Sequence, residues 1–348
     1  MNRHAYNGLK FLIGNIIVVA GALSCLTAHA SSLSGERASK GPINFAKTST
    51  LHESREVRSA LSKRGLRPCS FESEDKENIR GLYYHQPKAQ GTIIVCPGLL
   101  IKKEMYSSFI ELYGSTHNIL FYDARGQGQS RGWNVYLRAR SYGKKEYLDV
   151  VSAMSYAHFT CPSKPIFLFG FCSGAYHAAR ALIYLKNNGL FDNLNVKGFV
   201  FDSGWYSVRR ASKTAPYAAM KDWLFSKFKS RNSRARHTAA YLFYTILYPL
   251  FGATKGTLLD SAYWWNDKRL NIFETLRTID LPIFFIHSVD DDRIPVNDIE
   301  ELSETIPVHL RNTWWIQEGR SKHAWHFARL PEEYHYNTTE FMRRCVGG

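Results

Sequence analysis

The segment Ile166-Phe167-Leu168-Phe169-Gly170-Phe171-Cys172-Ser173-Gly174-Ala175 constrains the chain more than any other. Ile166–Phe171 is apolar throughout apart from Gly170, the pattern of a strand buried on both faces. A helical run, Ala175 to Leu185, follows almost at once, so strand must give way to helix within a residue or two. A turn that sharp needs small residues two before and two after its apex. Gly170 and Gly174 meet that need for Cys172; Phe171 and Ala175 do not meet it for Ser173. Glycine is about 7% of residues, so a given cysteine is flanked this way by chance roughly 0.5% of the time. A small buried cysteine at a helix start is the commoner state of this residue. The strand before and the helix after favour a thiol lifted out over the sheet edge.

Strand and helix patterns alternate through most of the chain. Pro68–Glu72 and Ile79–Tyr84 flank a charged turn and read as an antiparallel hairpin. Thr92–Cys96, Ile119–Asp123, Ile166–Phe171, Gly198–Asp202, Pro282–His287 and Thr313–Gln317 read as strands. Lys103–Tyr113, Lys145–Phe159, Ser173–Asn187, Val296–Thr305 and Pro331–Cys345 read as helices. The alternation predicts an α/β fold, a mainly parallel central sheet with helices on both faces and the hairpin at one edge. The core is expected over 66–205 and 279–348. Between them, residues 206–278 hold no convincing strand but are rich in aromatics, including Tyr241–Phe251 and Tyr263-Trp264-Trp265. This stretch reads as a helical cap insertion.

The N-terminus predicts export. Arg3 and Lys10 precede an apolar run from Phe11 to Leu26, and Ala28-His29-Ala30 is a small-x-small cleavage site. Residues 1–30 read as a signal peptide; the alternative is a retained N-terminal membrane anchor, for which the run is short against the roughly 20 residues a spanning helix needs. Polar, Ser-rich residues 31–65 read as a mobile lead-in. Loss of the signal leaves Cys69, Cys96, Cys161, Cys172 and Cys345. An odd number in an exported chain points to a free thiol. The other four can form up to two disulfides in an oxidising compartment, or all five can stay reduced. No pair has the spacing of a zinc site, and no metal or cofactor is expected.

The formal net charge is +15. Between Tyr206 and Ala240 stand nine Lys and Arg against Asp222 alone, which points to an anionic partner or surface, with a solvated basic face as the plain alternative. The run has no recognisable nucleic-acid reader motif, and export argues further against a nucleic-acid partner.

Four motifs, in order, resemble those of the α/β-hydrolase superfamily: Cys96-Pro97-Gly98-Leu99 after a buried strand, where the family usually has His-Gly; Asp123-Ala124-Arg125-Gly126-Gln127-Gly128-Gln129-Ser130; the turn Gly170–Gly174; and His287-Ser288-Val289-Asp290-Asp291-Asp292-Arg293-Ile294-Pro295, with His323 after the next strand. The likeness covers roughly residues 66 to 345 apart from the cap. The chain departs from the family in having cysteine where serine is usual, in which it is similar to dienelactone hydrolases, some acyltransferases and polyester synthases.

The resemblance implies a nucleophile, a base and an acid. Cys172 would attack an acyl carbon as thiolate. A free thiol has a pKa near 8.5, so it needs a histidine or a helix N-terminus beside it. His323 is the implied base. Asp291 is the implied orienting acid, with Asp290 and Asp292 as neighbours one residue away and Asp202, at the end of the preceding strand, as a second candidate better read as a turn or cap residue. The backbone N–H groups of Ser173 and Leu99 are the implied oxyanion hole. Arg125 is expected to brace its loop. The expected activity is cleavage of an ester or thioester on a hydrophobic or lipid-like substrate. The alternatives are acyl transfer to an amine or alcohol and a non-catalytic binding protein. The basic, aromatic cap also suggests peripheral contact with an anionic membrane surface.

Overall fold

The computed structural model describes residues 62–99, 101–130, 144–207 and 276–347, with Arg210, Ala211, Thr214 and Ala218 besides. The expected signal peptide, nearly all of the lead-in and nearly all of the cap segment lie outside the described residues. The chain divides into two compact units, residues 1–42 with 208–270, and residues 43–207 with 271–348. The sheet and the helices packed on it belong to the second.

Eight strands form that sheet: β1 (Leu66–Glu72), β2 (Asn78–Tyr84), β3 (Gly91–Cys96), β4 (His117–Tyr122), β5 (Ile166–Phe171), β6 (Val196–Asp202), β7 (Ile283–Ser288) and β8 (Arg311–Ile316), in the order β1-β2-β4-β3-β5-β6-β7-β8. The hairpin β1–β2 runs antiparallel, as does β2 against β4. From β4 to β8 every pairing is parallel. Parallel strands need crossovers, and these bring in α1 (Phe109–Tyr113), α2 (Glu146–Thr160), α3 (Ser173–Asn187) and α4 (Val296–Glu304); α5 (His326–Arg329) and α6 (Pro331–Val346) end the chain.

The strands β3, β4, β5 and β7 are buried at every residue, which explains their largely apolar character. Alternate side chains serve opposite faces. On one face Ile93, Val95, Phe167, Phe169 and Phe171 pack with Phe109 and Tyr113 of α1 and with Tyr334, Phe341 and Met342 of α6. Helices α2 and α3 pack on each other and on the sheet. Gly170 lies directly beneath α3, where a Cβ would come within 2.5 Å of the Ala175 Cα.

The helix expected over Lys103–Tyr113 is in fact two pieces, a 3₁₀ turn at Lys103–Tyr106 and then α1. The cause lies outside the segment. Asp123 captures both the Lys103 backbone N–H at 2.9 Å and its Nζ at 2.8 Å, and the Tyr106 hydroxyl accepts the Gly98 N–H at 3.1 Å. Side-chain anchors of this kind compete with a regular helical ladder. Strand β4 starts earlier than its apolar run suggests, because His117 and Asn118 are buried with partners, the Thr116 hydroxyl and the Gln86 N–H respectively. The five described cysteines are free thiols.

Arg125 joins three elements. Its Nε and Nη2 donate to Asp149 Oδ1 of α2 at 2.8 and 2.7 Å, and its backbone N–H donates to Asp149 Oδ2. Its Nη1 and Nη2 donate to the two carboxylate oxygens of Asp75, in the hairpin turn, at 2.8 and 2.9 Å. Burial pushes Asp149 up to about 7 in spite of that guanidinium. The turn itself needs glycine: Gly128 has φ 46°, and a Cβ there would meet Asp123 Cγ at 2.2 Å. Removing one partner of a buried pair strands the other, so Arg125→Ala is expected to cost about 3–5 kcal/mol in denaturant unfolding. A cost under about 1 kcal/mol would mean that the pairing carries no such weight.

Candidate active site

Strand β5 delivers Cys172 at the point where the chain reverses into α3. Cys172 has φ 53° and ψ −121°, outside the comfortable regions for a side chain with a Cβ. Two hydrogen bonds hold the turn: the Cys172 N–H to the Asp202 carbonyl at 3.0 Å, and the Ala175 N–H to the Cys172 carbonyl at 3.2 Å. The flanking glycines are needed for space. A Cβ on Gly174 would fall 2.1 Å from the Cys96 carbonyl oxygen. On the near side, a Cβ at Gly98 would touch that of Cys172 at 3.3 Å. The loop after β3 therefore lies against the thiol, tied down by Tyr106, whose ring packs on Phe171 and stacks on Trp325.

The backbone donors follow from these positions. Ser173 is the first residue of α3, where N–H groups lack a partner within the helix. The Gly98 N–H is engaged by Tyr106, and Leu99 follows it on the exposed lip of the loop.

His323 comes from the loop after β8 and Asp291 from the turn after β7. His323 Nδ1 is 2.8 Å from Asp291 Oδ2. Asp291 Oδ1 accepts the backbone N–H groups of Arg293 and Ile294 at 2.9 and 3.1 Å, and His287 Nε2 lies 3.6 Å from Oδ2. Asp290 is engaged differently, with the Ser288 hydroxyl and the Gly319 N–H, and so ties the β7 turn to the loop that carries His323. Asp202 does not touch His323; its partners are Ser203 and Tyr334.

Burial and charge compete at all three groups. Burial would raise the Asp291 carboxyl, but the charge and hydrogen bond of His323 hold it well below the usual carboxylate range. Burial would lower His323, but Asp291 and Cys172 push it up to about 10. Burial would raise the half-buried Cys172 thiol, but the charge of His323, its hydrogen bond, the Trp205 indole and the charge of Arg293 bring it below its ordinary value. The result favours a thiolate beside an imidazolium, oriented by a carboxylate. Such a group can attack an electrophilic carbon and return a proton to a leaving atom.

Trp205 and Arg293 were not singled out from the sequence. Arg293 sits inside the 287–295 motif, and Trp205 three residues past the end of β6. The Trp205 Nε1 is buried without a hydrogen bond of ordinary geometry, and the indole adds, after His323, to the lowering of the Cys172 thiol. Its ring rests against Tyr176 and His177 on the first turns of α3. Among the described residues no group of three or more His, Cys, Asp or Glu is arranged to hold a metal ion.

No family model matches the chain, and no curated protein matches it significantly. Solved structures do. An esterase from Pyrococcus furiosus is similar with a TM-score of 0.56 at 19% identity, over 82% of this chain and 95% of that one. DcsB, solved with a substrate analogue, gives 0.56 at 18% identity, over 81% and 100%. A thermostable carboxyl esterase from Bacillus coagulans gives 0.55 at 15% identity, over 81% and 99%. With the sheet order above, these likenesses establish the α/β-hydrolase fold.

The thiolate is expected to be measurable without a substrate. Alkylation of Cys172 by iodoacetamide should reach half its maximal rate at a lower pH than a free thiol does, and His323→Ala should move that midpoint upward, since the largest influence opposing burial is then lost. Trp205→Phe should move it upward by less. Superposable profiles for wild type and His323→Ala would mean that the imidazole does not set the state of the sulfur.

Proposed function

On an α/β-hydrolase fold, we propose that this chain is an exported enzyme that cleaves an ester or thioester through a thioester acyl-enzyme on Cys172, with His323 as base and Asp291 as its orienting acid. The observation that carries this reading is the hydrogen bond from Asp291 to His323, together with the pull of His323 on the Cys172 sulfur at the strained turn. The esterase structures that share the fold support it.

The Cys172 thiolate attacks the acyl carbon, and the carbonyl electrons move to oxygen. That oxyanion is received by the N–H groups of Ser173 and Leu99, each worth about 3 kcal/mol of barrier. Collapse expels the alcohol or thiol, which takes its proton from the His323 imidazolium and leaves the thioester. His323, now neutral, draws a proton from water as the water adds to the thioester carbon. Collapse of this second intermediate releases the acid and restores the thiolate. Asp291 keeps Nδ1 protonated throughout, so that Nε2 is the nitrogen presented to the sulfur.

The substrate we propose is hydrophobic or lipid-like, with peripheral contact at an anionic membrane surface. This part rests on the basic and aromatic composition of residues 206–278 and on the N-terminal apolar run, the latter also the basis for export.

Esters of graded acyl chain length test the reading. Turnover should rise with chain length, vanish in Cys172→Ala, and fall roughly 10²–10⁴-fold in Asp291→Asn. It should also fall as pH rises through about 10, where His323 loses the proton owed to the leaving group. Full turnover by Asp291→Asn, with Asp202→Asn inactive, would move the acid to β6.

A further inference from the structure

The turn that carries His323 is held from both flanks by a buried polar network with no part in the chemistry above. Asp202 Oδ1 lies 3.0 Å from Ser203 Oγ and Oδ2 lies 3.0 Å from the Tyr334 hydroxyl. Ser203 Oγ accepts the Ala324 N–H, one residue after His323, at 3.0 Å. It also lies 3.0 Å from His326 Nε2, and His326 Nδ1 lies 2.8 Å from the Ser321 hydroxyl, two residues before His323. Asp202, Ser203 and His326 are each fully buried.

The proton count fixes the direction of these bonds. A carboxylate only accepts, so the Ser203 and Tyr334 hydroxyls donate to Asp202. Ser203 Oγ, its one proton used, must then accept from both Ala324 N–H and His326 Nε2–H. That leaves His326 Nδ1 to accept from Ser321. Every member is satisfied with Asp202 charged and His326 neutral. Burial lowers His326 to about 3, in keeping with that assignment.

Two features set the network apart from ordinary packing. Ser203 (φ 50°) and Ala324 (φ 55°) are both non-glycine residues in the left-handed region, and they are bonded to each other. Strain of this kind persists only where the surroundings over-determine it, and it gathers at functional sites. Asp202 is also a costly choice. An asparagine could accept from Ser203 without a buried charge, yet burial here pushes the carboxyl up to about 7. The ionisable groups that act on it are His323 and Asp291 from the site, His326 beside it at 3.4 Å, and the Tyr106, Tyr113 and Tyr334 hydroxyls.

We propose that Asp202, acting through Ser203 and His326, is a positioning residue that fixes the turn presenting His323 to Cys172. The proposal rests on the reading of His323 as the group that activates the thiol. The clamp closes on both sides of the base: Ser203 on the residue after it, His326 on Ser321 before it.

Asp202→Asn and Ser203→Ala test this, with turnover of the best ester, the alkylation rate of Cys172 at pH 7, and melting temperature at pH 8. Both variants should lower kcat with KM unchanged, Ser203→Ala by roughly 10–100-fold and Asp202→Asn by no more than about tenfold, and both should slow alkylation. Asp202→Asn should nevertheless melt higher than wild type at pH 8. A carboxyl whose folded pKa is raised to about 7 favours the folded state least above that pH, and asparagine removes the penalty. Lower activity with higher stability separates positioning from scaffolding. The control is Thr338→Val, which removes a buried bond to Tyr113 from α6.

Wild-type turnover and alkylation in both variants would overturn the proposal. So would losses that merely track melting temperature, as in the control. Alkylation needs no substrate, so a chain inactive on every ester would sink the hydrolase reading while slower alkylation in both variants still upheld the clamp.

Discussion

A side chain with a Cβ held in a sparsely populated backbone region costs about 1–3 kcal/mol, and Cys172 is held there by neighbours that leave it no room to relax. Gly174 passes against the carbonyls of Cys96 and Pro97, and Gly170 lies under Ala175. The Cys172 N–H extends the pairing of β5 with β6 by one residue, to Asp202. The core of Phe109, Phe169 and Phe171 anchors the strand from below. The sulfur is therefore placed by the rigid part of the sheet, and the groups that act on it come from the ends of neighbouring parallel strands. This is the end of an open α/β sheet at which ligands usually bind.

The electrostatics depend on that geometry. Buried alone, a thiol, a carboxyl and an imidazole would each become neutral. Together they oppose it: Asp291 is held charged by His323 and two backbone N–H groups, and the charge of His323 brings the Cys172 thiol below its ordinary value. Asp202, whose carbonyl accepts the Cys172 N–H, has hydroxyls as the hydrogen-bond partners of its carboxyl and is pushed up by burial. Two aspartates at the ends of adjacent strands thus differ in how readily they ionise, because only one of them bonds to His323.

Much of this was legible in the sequence because it is local. Unbroken apolar runs mark strands buried on both faces, and two glycines around Cys172 mark a turn that has no room for side chains. What the sequence left open depends on contacts far apart along the chain. Three consecutive aspartates offered three candidates for one role; Asp290 is taken up by Gly319, while Asp291 is turned inward by the N–H groups of Arg293 and Ile294. The break at Lys103–Tyr113 depends on Asp123, twenty residues on. The links from Ser203 to Ala324 and His326 span more than a hundred residues and leave no periodic trace. Trp205 gave no signal, since one aromatic after a strand most often belongs to a core.

In the proposed reaction one sulfur carries the acyl group. Mixing the protein with a slowly turned-over ester, quenching in acid within the first turnovers and mapping the peptides by mass spectrometry tests it most directly. An acyl mass is expected on the peptide that contains Cys172, removed by neutral hydroxylamine and absent from Cys172→Ala. Ester turnover with no adduct on that peptide, or with the acyl group on a different residue, would contradict it.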